Sequence, residues 1–299
     1  MRFITNLLID QKKIDDINRV IVQDQFHEQL EAIRQINLNF RQRPSITEQE
    51  FPPDVLSSQA LLNQIEPVMI HDCDARNGME YAKSILFSGY DESKAKFLAL
   101  EGEAQLTTHV VTQVIKAEIV PTCKVSFYFY SKSSLLEQQS NYVKYSNDIT
   151  SDSNLDYIHD RNELLVSSVF GDSVLFIDGP LIGGNISGYN LRLVGLLHQK
   201  NILPVFIVKN SESSLVIDNS PEFRGKYNSD LHWAYSVLKP GQRSALFQYT
   251  DQINHSNSKV FCYIKPFYRV TTQRIEFSVP SLIMQPFFCK FESEISIVL

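Results

Sequence analysis

A single acidic residue at the end of an apolar run is the feature of this sequence best placed to do chemistry. Residues 174–184 read VLFIDGPLIGG, so the run ends on Asp178 and passes directly into a Gly/Pro turn. A carboxylate at the end of a core strand is held rigidly at the edge of a sheet, where metal-dependent sites are commonly built. The alternative is that Asp178 only opens a turn, because Asp-Gly is a common turn pair.

Further acids could converge at one site. Residues 68–74 read VMIHDCD, and alternation along a strand predicts that Asp72 and Asp74 share one face. Glu163 and Asp230 lie in segments with helical spacing. Carboxylates that converge repel one another unless a cation neutralises them, and hard oxygen ligands select Mg²⁺ or Mn²⁺. Two such ions can activate a water and stabilise the leaving oxygen of a phosphodiester, so these acids could form a nuclease site.

Other catalytic patterns are absent from the sequence. It contains no GxxxxGKS/T, GxGxxG, GxSxG or HExxH motif, which disfavours a phosphate-binding loop, a serine hydrolase elbow and a histidine-bound zinc site. The cysteines form no CxxC pair, so they are interpreted as apolar fillers rather than as a zinc site or a disulfide framework: Cys73, Cys123, Cys262 and Cys289.

The composition is that of an ordinary globular protein. The 299 residues are 43% hydrophobic and 21% charged, enough for one large domain or two small ones. The formal net charge of -6 predicts that any contact with nucleic acid is local or shared with a partner. No run reaches the roughly 20 apolar residues that span a bilayer, and residues 1–13 lack the core of a signal peptide. These features predict a cytoplasmic protein with no membrane partner.

The segments before residue 67 are predicted to be helical. Apolar residues at helical spacing predict an amphipathic helix over residues 12–42, which packs on its own domain or docks a partner subunit. A Pro-rich connector follows, and then a helix over residues 56–65.

From residue 67 the pattern changes to strands. The strand over 68–74 is followed by Arg76-Asn77-Gly78, which has hairpin chemistry, and by a return strand over 81–90. Residues 106–119 fit a strand or an extended connection, and the composition of residues 132–154, rich in Ser, Asn and Gln, predicts a long surface loop or a mobile insert. Further strands are predicted at residues 97–100 and 124–130.

The next part alternates between helix and strand. Helix, strand, helix and strand are predicted in turn at residues 156–170, 174–177, 191–200 and 203–208. Two buried strands joined by a helix imply a right-handed parallel crossover, so the core is α/β. A helix and three antiparallel strands complete the pattern, at residues 229–238, 244–249, 260–264 and 274–279.

In this order the segments resemble the NurA nuclease family over about residues 68–280. The matching elements are HDCDARNG, the helix with Glu163, IDGPL, VKNSESS, Asp230 followed by PGQRSALF, CYIK and RIEF. The first stands where the family has an Asp-Gly-Ser element, and Ala75 and Arg76 replace the Gly and Ser. The family's C-terminal Tyr and His have no recognisable counterpart after RIEF.

The resemblance implies a fold. It is an α/β fold with a ribonuclease-H-like mixed sheet flanked by helices and a small β-barrel-like insertion at about residues 95–150. Residues 1–66 would be an N-terminal helical segment, and residues 67–299 the ribonuclease-H-like NurA domain.

The resemblance also implies site residues. Asp74, Glu163 and Asp178 are expected to be catalytic and to bind the metal, with Asp72 as the alternative to Asp74. Asp230 is either a further ligand or a helix cap. Phosphate contacts are expected from three basic residues, Lys209, Arg243 and Arg76. A surface salt bridge is the alternative for the first two.

The implied activity is cleavage of DNA with Mn²⁺ (or Mg²⁺), by 5′ to 3′ exonuclease and single-strand endonuclease action. The resemblance further implies a homodimer and a HerA-type hexameric ATPase as partner, in DNA end processing, DNA repair or anti-phage defence. Two alternatives stay open. One is a catalytically inactive subunit that binds the ATPase and DNA, and the other is a ribonuclease-H-like enzyme that acts on RNA or hybrids.

Overall fold

A 13-stranded mixed sheet dominates the structure, a computed structural model that describes residues 54–57, 60–83, 85–115, 118–133, 142–183, 187–255 and 257–278. The strands are β1 (Asp54–Ser57), β2 (Ala60–Gln64), β3 (Ile70–Asp72), β4 (Leu86–Leu98), β5 (Glu103–Ile115), β6 (Glu118–Ser131), β7 (Val143–Tyr145), β8 (Ser173–Asp178), β9 (Ile202–Val208), β10 (Gln242–Ser244), β11 (Phe247–Asp251), β12 (Ser258–Lys265) and β13 (Gln273–Ser278). The helices are α1 (Ala75–Ala82), α2 (Ile149–Ser168), α3 (Ser187–His198), α4 (Leu215–Asn219) and α5 (Asp230–Val237). The predicted helix over 12–42 lies outside the described residues.

Five neighbouring strands, in the order β6-β5-β4-β8-β9, form the half of the sheet that carries Asp178. Strands β4, β5 and β6 are an antiparallel meander, whereas β8 runs parallel to β4 and β9 runs parallel to β8. Helix α2 precedes β8, and α3 connects β8 to β9. This arrangement confirms the predicted α/β class with a ribonuclease-H-like mixed sheet flanked by helices.

The other half of the sheet is antiparallel. Its strands continue from β9 in the order β13-β12-β11-β2-β1. Strands β10 and β3 branch from this path, because β10 pairs with both β12 and β3. The antiparallel strands predicted beyond residue 244 are therefore confirmed.

The two faces of the sheet bury different residues. Along β8, Leu175 and Ile177 pack in the cluster formed with α2 and α3. Val174 and Phe176 pack in a separate cluster on the other face. Since successive side chains of a strand point to opposite faces, Asp178 continues the face of Val174 and Phe176. Asp178 therefore lies on the face away from α2.

Helix α2 begins earlier than the sequence pattern predicts. Asp148 caps it, because the Asp148 carboxylate accepts the N–H of Ser151 at 3.1 Å. The helix ends at Ser168, and its C-cap residue, Val169, has an extended backbone. The helix predicted at residues 156–170 is confirmed, but the loop predicted over 132–154 is wrong from Ile149 onward, since an N-cap within a Ser/Asn-rich stretch starts the helix there.

The helix predicted at residues 56–65 is wrong. Strands β1 and β2 form an antiparallel pair there, with Val55 opposite Leu61. Burial along β2 alternates, and Ala60 and Leu62 are buried. The period of two that places these side chains on the core face is that of a strand, not of a helix.

The hairpin predicted at Arg76-Asn77-Gly78 is also wrong, because these residues lie in helix α1. The carboxylate of Asp74 accepts the N–H groups of Arg76 and Asn77 at 3.1 and 3.0 Å, which supports the first turn of a helix. The return strand begins only at Leu86, and the strand predicted at residues 97–100 is the end of the long strand β4. Of residues 106–119, which fit a strand or a connection by sequence, 106–115 lie in β5 and 118–119 begin β6.

The described strands of the predicted insertion belong to the main sheet. Strands β4, β5 and β6 pair with one another along their whole lengths and continue into β8. The domain boundaries at residues 66 and about 95–150 remain a prediction. No helix in the described ranges is both long and apolar enough to cross a bilayer.

Candidate active site

Asp178 and Lys209 meet at one edge of the sheet. Asp178 is the last residue of β8, and Lys209 directly follows β9. Lys209 Nζ lies 2.7 Å from Asp178 Oδ2. This hydrogen bond, with the nearby charges of Asp178 and Asp91, raises the pKa of Lys209 above its ordinary value. Lys209 is therefore a protonated ammonium beside the predicted catalytic carboxylate.

The second acid at this edge is Asp91, which the sequence reasoning missed. Strands β4 and β8 run parallel with Tyr90 opposite Ile177, so the next step along both strands places Asp91 beside Asp178. Both acids line a shallow cavity of about 230 Å³. Lys209 also lines this cavity. Its remaining lining residues come from four neighbouring strands, β4, β5, β8 and β9: Gly89, Tyr90, Val110, Thr112, Phe176 and Ile207.

A sequence signal for Asp91 did exist. Asp91-Glu92-Ser93 keeps the Asp and the Ser of the family's Asp-Gly-Ser element, whereas the segment at Asp74 keeps only the Asp. The signal was hidden because β4 reads LFSGYDESKAKFL, in which polar and apolar residues are mixed and most side chains are exposed. An exposed strand of this kind has no continuous apolar run that points to its acid.

The donor set around the cavity fits a hard divalent cation. Asp91 and Asp178 offer carboxylate oxygens from neighbouring strands, and a single ammonium, that of Lys209, faces them. Oxygen ligands of this kind suit Mg²⁺ or Mn²⁺, which retain waters in the remaining positions. Asp91 and Asp178 are therefore the residues that could hold such an ion.

Glu163 lies away from this cavity. It is on α2, which covers the opposite face of the sheet, and its Oε2 accepts a hydrogen bond from Lys124 Nζ at 2.6 Å. Within the described ranges, the only three His, Cys, Asp or Glu side chains whose ligand atoms all lie within 4.8 Å are His159, Asp160 and Glu163. Lys124 Nζ also lies 2.9 Å from Asp160 Oδ1, so one ammonium pairs with both carboxylates of this cluster.

Asp72 and Asp74 come from the region of β3, which is separated from β8 by five strand pairings, through β10, β12, β13 and β9. Asp72 Oδ1 accepts a hydrogen bond from Gln242 Nε2 at 2.8 Å, and Asp74 caps α1. Arg76 is exposed on that helix. Among the described residues, the ligand atoms of Asp74, Glu163 and Asp178 do not all lie within 4.8 Å of one another.

Asp230 is fully buried and acts as a cap. Its Oδ1 accepts the N–H groups of Val216 and Ile217, both at 3.0 Å, in the first turn of α4. Its Oδ2 accepts the hydroxyls of Tyr263 and Ser213 at 2.8 and 3.2 Å. Burial raises the pKa of Asp230 despite these hydrogen bonds. These contacts favour a helix cap over a metal ligand. The helix that Asp230 caps is α4, not α5, to which Asp230 itself belongs.

Replacing Asp230 with alanine is expected to destabilise the fold by about 1 to 3 kcal/mol, because buried N–H donors lose their acceptor. The requirement for metal should not change. Urea unfolding and a Mn²⁺ titration of cleavage measure the two effects, with Asp230→Asn as the shape-matched control. Normal stability together with a changed Mn²⁺ requirement would instead mark Asp230 as a ligand.

Arg243 is buried as well and has no surface to offer a phosphate. Its side chain is 3% exposed and pairs with Glu66, with Nη1–Oε2 and Nη2–Oε1 distances of 2.6 and 2.8 Å. Nη1 also donates to the carbonyl of Ser244 at 3.0 Å. The ion pair considered as the alternative for Arg243 is therefore present, but inside the fold rather than on the surface.

Comparison with known proteins identifies the family. The family model described as "NurA domain" matches residues 99–293, a range that contains Asp178 and Lys209 and begins shortly after Asp91. No curated protein matches the chain. Solved structures with a likeness include the NurA nuclease from Sulfolobus solfataricus, at 12% identity and a TM-score of 0.44, covering 90% of this chain and 81% of that chain. Endonuclease V from Bacillus subtilis is another, at 12% identity and a TM-score of 0.33, covering 66% of each chain. Because the family match spans well over half of the chain, this protein belongs to the NurA family.

Proposed function

We propose that this chain is a metal-dependent nuclease that hydrolyses DNA at the cavity between Asp91 and Asp178. The observation that carries the proposal is the placement of two acids on adjacent parallel strands with Lys209 beside them. Membership of the NurA family supports a nuclease. The metal and the preference for DNA are supported by the chemistry of the carboxylates and by the family resemblance.

The residues of the cavity have separate roles in this proposal. Asp91 and Asp178 hold a divalent ion, and the pairing of β4 with β8 places the two acids on adjacent strands, one step beyond Tyr90 and Ile177. When bound, such an ion lowers the pKa of a water and stabilises the leaving oxygen of a phosphodiester. Lys209 stays protonated and contacts a phosphate oxygen as a point charge. The shallow form of the cavity leaves room for a polymer backbone to pass across the sheet.

We extend the proposal to the partners that the resemblance implies. The chain would act as a homodimer with a HerA-type hexameric ATPase that feeds it DNA, in the cytoplasm, in end processing, repair or anti-phage defence. The net charge of -6 supports an arrangement in which the partner ATPase supplies much of the DNA-binding surface.

Metal removal tests the proposal directly. Linear single-stranded DNA, double-stranded DNA and RNA/DNA hybrids are incubated with the chain in Mn²⁺ or Mg²⁺, with and without the ATPase. We expect cleavage of DNA with either ion, none in EDTA, and recovery when excess ion is added, because the carboxylates need the ion to activate water.

Each other outcome separates one alternative. Cleavage that persists in EDTA would contradict metal dependence. Cleavage of hybrids but not of DNA would favour the ribonuclease-H-like enzyme. No cleavage with any substrate, ion or partner would favour a catalytically inactive subunit.

A further inference from the structure

The backbone that follows Asp178 is held in one conformation. Gly179 has a φ of 107°, which side-chain-bearing residues rarely adopt, and its N–H donates to the carbonyl of Ile207 at 2.9 Å. Leu181, two residues further on, is fully buried in the cluster between the sheet, α2 and α3. A shift of this turn would therefore move the carboxylate of Asp178.

A buried carboxylate from a distant strand fixes the turn from one side. Glu276 of β13 is fully buried, and its Oε2 accepts the N–H of Leu181 at 2.8 Å. Its Oε1 accepts hydrogen bonds from Lys259 Nζ at 2.6 Å and from Arg274 Nε at 2.7 Å. Burial alone would raise the pKa of Glu276, but the charges of Lys259 and Arg274 outweigh it and hold that pKa below its ordinary value. The acceptor for Leu181 is thus ionised, which strengthens the hydrogen bond.

A buried amide from α3 fixes the turn from the other side. Asn190 is 1% exposed, and its Nδ2 donates to the carbonyl oxygens of Pro180 and Leu181 at 3.0 and 3.1 Å. Glu276 therefore binds the N–H of Leu181 while Asn190 binds its carbonyl. Leu181 is held by both of its backbone polar groups.

We propose that Glu276 and Asn190 are positioning residues that hold the turn at residues 179–181 and so fix the carboxylate of Asp178 for metal binding and cleavage. This inference rests on the proposed function and deepens the account of the same site. Neither residue lines the cavity. Burying Glu276 with two cations costs desolvation free energy that an apolar side chain would avoid. We therefore attribute the presence of Glu276 beside this turn to the candidate site rather than to the stability of the fold.

Two variants and a matched control test the proposal. Glu276→Gln removes the charge of the group that accepts the N–H of Leu181, and Asn190→Ala removes the hydrogen bonds to the carbonyl oxygens of Pro180 and Leu181. Glu66→Gln is the control, because Glu66 also accepts a backbone N–H, that of Leu246, and pairs with an arginine, but on the strands around β10. Hydrogen exchange of the peptide spanning residues 179–183 and steady-state cleavage kinetics in Mn²⁺ are measured for all three.

We expect faster exchange of the 179–183 peptide in Glu276→Gln and Asn190→Ala. In both, kcat should fall by roughly 10- to 100-fold with little change in KM, because a small displacement of a catalytic group slows the chemical step. Glu66→Gln should leave the exchange of this peptide and kcat unchanged, whatever its effect on overall stability.

The outcomes that overturn the proposal are distinct. Unchanged exchange in both variants overturns it, and so does faster exchange with a normal kcat. If Glu276→Gln does not fold, Asn190→Ala, which changes no charge, decides. If the wild-type chain cuts nothing, the proposed function fails, and Mn²⁺ titration then decides the positioning role: weaker binding in both variants supports it, and equal binding overturns it.

Discussion

Replacing either Asp91 or Asp178 with asparagine is expected to remove DNA cleavage almost completely. Each change keeps the shape of the side chain but removes one of the two carboxylates that the pairing of β4 with β8 brings together. Mutating a residue that only supports a metal ligand commonly lowers metal affinity or activity by 10- to 100-fold. We therefore expect that replacing a ligand itself lowers the cleavage rate by roughly 100-fold or more. Initial rates on labelled single-stranded DNA at saturating Mn²⁺ measure the loss.

Two other acids serve as matched controls for this prediction. Glu163 is on α2 with Lys124 as its partner, and Asp74 caps α1. Glu163→Gln and Asp74→Asn should therefore cut at near wild-type rates, with thermal unfolding as the check on folding. If Glu163→Gln abolished cleavage while Asp91→Asn did not, the site would have to be moved to α2.

Asp178 and Lys209 could be recognised from the sequence because local patterns define their positions. Each follows a buried apolar run, VLFI or LPVFIV, and the helix between the runs makes the two strands parallel neighbours. Parallel neighbours end at the same edge of a sheet, so the two side chains meet there. The α/β class follows from the same local pattern.

Asp91 could not be recognised in this way, because its environment is created by strand pairing. Its strand mixes polar and apolar residues and is largely exposed, and nothing nearby in the sequence shows that β4 lies beside β8. The resemblance favours Asp74 as the first metal-binding acid, because a small residue, Ala75, follows it. The side chain of Asp74 instead caps a helix there. The pairing of β4 with β8 places Asp91 beside Asp178.

Arg243 shows the same limit for charged residues. Its Gly-x-Arg-Ser setting suggested an exposed phosphate contact, but its partner, Glu66, lies 177 positions earlier in the chain. Long-range pairs of this kind bury a charge that the local sequence marks as exposed. Of Lys209 and Arg243, the structure leaves Lys209 accessible to a substrate, since its side chain is 56% exposed.

Replacing Arg243 with methionine is expected to destabilise the fold rather than to weaken DNA binding. Removing one partner of a buried ion pair leaves the other charge uncompensated and typically costs about 3 to 5 kcal/mol. The side chain of Glu66 is 22% exposed, so water screens part of this penalty and we expect the lower end of that range. Urea unfolding measures the loss, and the affinity of the folded protein for DNA should stay unchanged.

The pH dependence of stability tests the same pair independently. Burial alone would raise the pKa of Glu66, but Arg243 outweighs it and holds that pKa below its ordinary value of 4.5. A carboxyl group with a lowered pKa in the folded state contributes stability that is present above the unfolded value and lost as the pH falls through the folded one. The free energy of unfolding of the wild type should therefore drop below about pH 4.5, and Arg243→Met should flatten this drop.

Adding Glu66→Leu to Arg243→Met should restore part of the stability, because no charge is then left unpaired. A stable Arg243→Met protein with weakened DNA binding would instead support a phosphate contact at Arg243.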